Sequence, residues 1–171
     1  MKNNKPADSI QDLQFFGEYG GVNPSIADSS TFTYFAGKTM GEVFEGLREG
    51  CYLYSRHTNP STSYLGQALA GMEYTKGAIL SASGMGAITP TILQLCNSGD
   101  EIISSRTIYG GTYAFMKNYL PKFNIKTNFV NITNAKQIEE AITERTKVIY
   151  CETMSNPLLE VSDIESISVL A

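Results

Sequence analysis

The apolar positions divide the chain by their regularity. Over residues 1–57, Phe15, Phe16, Val22, Ile26, Phe32, Tyr34 and Phe35 are scattered among Gly, Asn, Ser and Thr. Apart from a short amphipathic stretch at 10–16 they follow neither a helical nor an alternating period. Such a segment is expected to be an extended arm that packs on something else. From Asn59-Pro60 the pattern becomes regular. Leu65, Ala68, Leu69 and Met72 share a helical face, with Ser61 or Thr62 as the expected cap and Gly77 near the end. Short apolar runs then alternate with helical stretches. Strands are predicted at 78–82, 101–105, 125–130 and 147–151, and helices at 85–96 and 112–119. A further helix follows Asn134, where Asn134 and Gln137 have capping-box spacing and Ile138, Ala141 and Ile142 form the stripe. The last helix is predicted from Ser162, with Glu165 three residues on and Ile164 and Ile167 on one face beside Val161 and Leu170. The alternation predicts an α/β fold with a mostly parallel sheet and crossover helices.

No closing signal follows that last helix, and its final carbonyls and apolar face need partners. The expectation is a fragment of a longer fold, with the Ile164 and Ile167 face turned to water.

Composition narrows the function classes. The chain has 171 residues, 42% of them hydrophobic, enough for one ordinary core with or without an arm. Thirteen basic against 17 acidic residues give a net charge of −4, which disfavours a phosphate-driven nucleic-acid binder. The uncharged stretch 81–97 is broken by Gly, Ser, Thr and Pro, so no membrane span is expected. The start carries no apolar run of a secretory signal, and a cytoplasmic chain is expected. Cys51, Cys96 and Cys151 form no CxxC pair and are expected to be reduced thiols. His57 is the only histidine, too few for a His-rich metal site, and no G-x-S-x-G elbow accompanies it to build a hydrolase.

Four segments could carry chemistry. Residues 78–87, AILSASGMGA, run through Ser83-Gly84-Met85-Gly86 into a helix. Glycine there lets a ligand approach the backbone, and the free N–H groups of a helix start point at a phosphate or carboxylate. The same residues would also make a plain strand-to-helix turn. A dinucleotide fold is disfavoured, because Thr89 stands where a third glycine belongs and no acidic residue ends the next strand. In the second segment, Arg56 offers a planar fork for an anion and Tyr54 a hydroxyl two residues away, on the same side if the chain is extended. The alternative is a surface arginine beside core tyrosines. In the third, Tyr109-Gly110-Gly111-Thr112 follows a strand, where an aromatic ring could cover a flat ligand. The fourth, Glu152 to Pro157, also follows a strand.

In order and spacing, YSR-x-x-NPS, SGMGA, YGGT and E-x-x-SNP resemble the trans-sulfuration, or Cys/Met-metabolism, family of pyridoxal 5'-phosphate (PLP) enzymes. Its members include cystathionine gamma-synthases and lyases, methionine gamma-lyases and O-acetylhomoserine sulfhydrylases. The resemblance runs from about Asn23 to Ala171. It implies part of a fold type I, aspartate-aminotransferase-like PLP enzyme. Residues 1–57 would be an arm contacting a neighbouring subunit, and 58–171 a partial PLP-binding domain lying before the Schiff-base lysine. It also implies a cytoplasmic homo-oligomer, a dimer of dimers in the family, acting on a small amino-acid substrate by beta or gamma elimination or replacement.

Residue by residue, Ser83, Gly84 and Met85 match the cup for the cofactor phosphate. Tyr54 and Arg56 match the pair that reaches the phosphate of the neighbouring subunit's cofactor. Tyr109 matches the tyrosine stacked on the pyridine ring, and it and Tyr54 are the implied catalytic residues. Glu152 and Asn156 match the acid under the ring and the amide near the cofactor's 3-hydroxyl. The S-x-T-K lysine and the aspartate upstream of it have no counterpart, and Lys147 lies in a strand pattern. Methionine gamma-lyases have cysteine where this chain has Gly111, which counts against the methionine-cleaving branch. An inactive fragment, half of a split enzyme, or a binding module for another phosphorylated ligand are the alternatives.

Overall fold

The computed structural model describes residues 17–34, 36–48 and 50–171; the stretch expected to be amphipathic at 10–16, and Phe35, lie outside them. The chain divides into two units, one through Leu80 and one from Ser81 on.

In the first unit the described residues of 17–57 are largely irregular. Residues 30–32 fold back on 53–55. Thr31 and Tyr54 form an antiparallel bridge, flanked by hydrogen bonds from Phe32 N to Leu53 O (3.2 Å) and Ser55 N to Ser30 O (3.0 Å). A helix α1 (Gly37–Phe44) was not expected; it has no capping side chain and buries only Val43, so little in the sequence marks it. Helix α2 (Pro60–Met72) is capped by Asn59 rather than by Ser61 or Thr62. Thr62 N donates to Asn59 Oδ1 at 2.8 Å and Asn59 N to Thr62 Oγ1 at 3.2 Å, a reciprocal box, with Pro60 supplying a first position that needs no N–H. Ser61 instead accepts from Ala27 N at 2.8 Å.

Helix α2 buries Gly66, Ala68 and Ala70, whereas Leu65, Leu69 and Met72 stay partly exposed. Close approach decides this face, since a Cβ at Gly66 would lie 3.0 Å from the Ala78 carbonyl oxygen. Residues 78–82 are not a strand. A strand exists through its ladder, and among the described residues this segment pairs with none.

The second unit holds a parallel three-stranded sheet: β1 (Glu101–Ser105) in the centre, with β2 (Lys126–Val130) and β3 (Thr146–Tyr150) on either side. Alternation along β1 sends Ile102 to one core, with Ile92, Cys96, Met116 and Leu120, and Ile103 to the other, with Ile132, Ile138 and Ile167. The first core is covered by α3 (Gly84–Leu95) and by the stretch from α4 (Gly110–Ala114) through Phe123. The second is covered by α5 (Ala135–Ala141) and α6 (Ile164–Leu170).

The helix expected at 112–119 starts earlier, at Gly110, and widens after Ala114 into a π turn, Phe115–Tyr119. Leu120 N bonds the carbonyl five residues back, at Phe115, and Pro121 has no N–H with which to continue an α ladder. Asn134 accepts from Gln137 N at 3.2 Å, but Gln137 Oε1 accepts from Asn131 N, so the expected box closes one residue group further out. Helix α6 is capped by Asp163, not Ser162, whose hydroxyl donates to Glu152 O at 2.6 Å. Ile167 is buried at 7% exposure, so the expected water-facing stripe is half wrong; only Ile164, at 45%, stays partly exposed.

All three cysteines are unpaired, and burial pushes the Cys96 and Cys151 thiols above their ordinary range. Among the described residues no helix is long and apolar enough to cross a membrane, and no His/Cys/Asp/Glu group could hold a metal ion.

Two outcomes follow for stability. Ile103 is fully buried in the central strand, so Ile103→Ala is expected to cost about 2–5 kcal/mol in chemical denaturation. The Glu101 carboxyl is raised by desolvation, but hydrogen bonds from Asn128 and the charge and hydrogen bond of Lys126 outweigh this and hold it below its ordinary 4.5. Asp163 is held below 3.8 by the Ser166 hydroxyl and backbone N–H. Carboxyls lowered on folding stabilise above their unfolded values and lose that contribution as pH falls through the folded ones. A pH series of melting temperatures should therefore be flat between about pH 5 and 7 and fall below it, and Glu101→Gln should make the acid side shallower.

Candidate functional site

The start of α3 is built by two serines and two glycines. Ser83 Oγ accepts from Gly86 N at 3.0 Å, and Ser81 Oγ donates to Ser83 O at 2.6 Å while accepting from Ser83 N at 3.3 Å. This cap leaves the N–H groups of Gly84 and Met85, the first two of the helix, with no intrahelical acceptor, at the positive end of its dipole. The glycines differ in what they permit. A Cβ at Gly86 would sit 2.9 Å from both serine hydroxyl oxygens, so Gly86 serves the cap itself. A Cβ at Gly84 would meet nothing within 4 Å, so the space beside it is open.

Tyr109 ends the loop after β1. Its backbone N donates to Glu152 Oε1 at 2.9 Å, which ties it to the segment following β3. Tyr109 is 55% exposed, and its ring lies over Gly111, where a Cβ would come within 2.5 Å of Cε1. Glu152 is steadied from behind by the Ser162 hydroxyl on its carbonyl.

A cavity of about 420 Å³ is lined by Ser83, Gly84, Met85, Ile88, Tyr109, Thr112 and Glu152. It opens where the carboxyl ends of the strands meet the start of α3, as ligand sites in open parallel sheets do. Five of the residues singled out in the sequence thus come together. Asn156 does not line the cavity; it is exposed on a loop closed by hydrogen bonds from Ser155 N to Glu160 O (2.9 Å) and Glu160 N to Ser155 Oγ (3.0 Å). Ile88 was not foreseen, and Thr112 stood only as the last residue of the YGGT segment, with no role assigned to it. Thr112 could have been suspected as the polar residue one turn after Tyr109, but Ile88 reads as any core isoleucine.

Tyr54 and Arg56, in the first unit, also come together, though not by extension. Residues 54–57 form a turn, with His57 N bonded to Tyr54 O at 2.9 Å. Within it the Arg56 guanidinium stands 5.2 Å from the Tyr54 ring centroid, and Nη2 donates to the Tyr54 hydroxyl at 3.4 Å. Nearby, His57 Nδ1 lies 3.4 Å from Thr58 Oγ1.

The cavity suits a flat, phosphate-bearing ring. Gly84 and Met85, whose amides have no intrahelical acceptor, Tyr109 with its exposed aromatic side chain, and the Glu152 carboxylate all line it.

Comparison with known proteins points the same way. A methionine gamma-lyase of Arabidopsis thaliana is 43% identical over 97% of this chain and 39% of its own length. A structure from Campylobacter jejuni, described as an O-acetylhomoserine (thiol)-lyase with a pyridoxyl-lysine monophosphate, is similar at a TM-score of 0.88 and 29% identity. It matches 99% of this chain and 42% of its own. Cystathionine gamma-lyase from Lactobacillus plantarum, in complex with L-serine, gives a TM-score of 0.82 at 30% identity, over 98% of this chain and 42% of its own. The chain thus spans about two fifths of the length of these relatives. The fold is part of fold type I, and the family described as Cys/Met metabolism PLP-dependent enzyme matches residues 10–171. The chain belongs to that family.

Proposed function

We propose that this chain supplies the cofactor cradle of a PLP-dependent carbon–sulfur lyase or transferase. The substrate class is a sulfur amino acid or a homoserine ester, namely cystathionine, methionine or O-acyl-homoserine, with elimination or replacement at the beta or gamma carbon. The observation that carries this is the convergence of the Gly84 and Met85 amides, the Tyr109 ring and the Glu152 carboxylate on one cavity. When bound, PLP supplies an electron sink for an amino acid that has lost its α proton.

The residues divide the remaining work. Gly84 and Met85 N–H donate to the phosphate, and the Ser83 hydroxyl, which accepts from Gly86, still has its own hydrogen to give. Tyr109 covers one face of the ring, held by the bond from its backbone to Glu152. Its hydroxyl and that of Tyr54 are the candidate proton carriers. Arg56 offers two parallel N–H groups to a phosphate, and its stacking on Tyr54 prepays part of the ordering. We assign Tyr54 and Arg56 to the cofactor of a neighbouring subunit and Asn156 to the cofactor's 3-hydroxyl side, in a homo-oligomer working in the cytoplasm. The family resemblance of their motifs supports these assignments.

The phosphate cradle is tested by charge. Gly84→Val fills the open space in front of the two amides, and fluorescence titration should show affinity for PLP falling far more than affinity for phosphate-free pyridoxal. Equal losses for both ligands would remove the cradle. Arg56→Ala should weaken PLP binding by about 1.5–3 kcal/mol, the range of a hydrogen bond to a charged group. An unchanged dissociation constant would take Arg56 out of the site.

A further inference from the structure

The first turn of α3 must hold two amides steady, yet it is made from poor material. Gly84, Gly86 and Pro90 are the weakest helix formers, and Pro90 has no N–H for the Gly86 carbonyl. Thr89 and Thr91 turn their hydroxyls back onto Met85 O (2.8 Å) and Ala87 O (2.7 Å), a pattern that loosens rather than stiffens a helix. The Ser83 cap secures one side of the turn. A tie from outside the helix is needed for the other.

Thr112 provides it. Its side chain is completely buried, where a hydroxyl must find partners that a valine of the same shape would not need. Oγ1 donates to Met85 Sδ at 3.6 Å, 27 positions away in the sequence. Met85 is the second residue of the helix, so α4 holds the turn by this side chain.

We propose that Thr112 is a positioning residue that clamps the first turn of α3 through the Met85 sulfur, and so holds the Gly84 and Met85 amides in place for an anion. The clamp is a property of the fold; its use for an anion rests on the function proposed above.

Amide hydrogen exchange on the full chain separates the two. In Thr112→Val, exchange at Gly86 and Ala87, which bond to Ser83, should quicken about 3- to 10-fold while α5 is unchanged. Thr112→Ser, which keeps the hydroxyl, should stay within about 2-fold of the original chain. No change at Gly86 and Ala87, or equal quickening everywhere, overturns the clamp. Met85→Leu breaks the same contact from the other side and should give the same local quickening even if Thr112→Val does not fold; its absence also overturns the clamp. Inorganic phosphate is the probe for the amides. Its affinity should fall by a similar factor in Thr112→Val, and unchanged affinity with quickened exchange overturns the link to the anion. If the original chain binds neither phosphate nor PLP but the local exchange effect is present, the clamp stands and the functional proposal fails.

Discussion

Ile102 and Ile103 are adjacent, point to opposite faces of β1, and are both inaccessible to solvent. This double burial makes β1 the centre of the sheet and requires cover on both faces. The parallel register then sets Ser104 beside Tyr150, so the chains leaving β1 and β3 emerge side by side. That is why Tyr109 N can reach Glu152 Oε1 across 43 positions of sequence. Helix α3, laid on the Ile102 face by Ile92, brings its first turn to the same edge. The site is a consequence of how two isoleucines are buried.

The cradle trades helix strength for access. Gly84 leaves room in front of the first amides, and Gly86 lets two serine hydroxyls close beneath them. Both glycines weaken the turn they belong to, and the Ser83 cap and the Thr112 contact offset that from outside the helix ladder. Gly111 works differently. It gives the Tyr109 ring a place to lie, and any side chain there would push the ring elsewhere. Three glycines that look alike in the sequence thus do three separate jobs.

Period, capping chemistry and motif order were legible in the sequence because each is a local property. The alternation of apolar runs with helical stripes pointed to parallel α/β architecture, and the Ser-Gly-Met-Gly residues marked the capped start of α3. The four motifs in register carried the resemblance to the family that the comparison then showed. Tertiary structure alone decided which of several suitable residues is used. Asn59 caps α2 because Ser61 is engaged by Ala27, and Asp163 caps α6 because Ser162 holds Glu152. The small face of α2 is buried because a carbonyl passes close to Gly66. Residues 78–82, strand-like in composition, form none because a strand requires a neighbour, and no local pattern encodes one. The Thr112 hydroxyl meets the Met85 sulfur, 27 positions away, only through folding. Hydrogen-bond partners and burial are relations between distant residues, and a sequence lists residues without their distances.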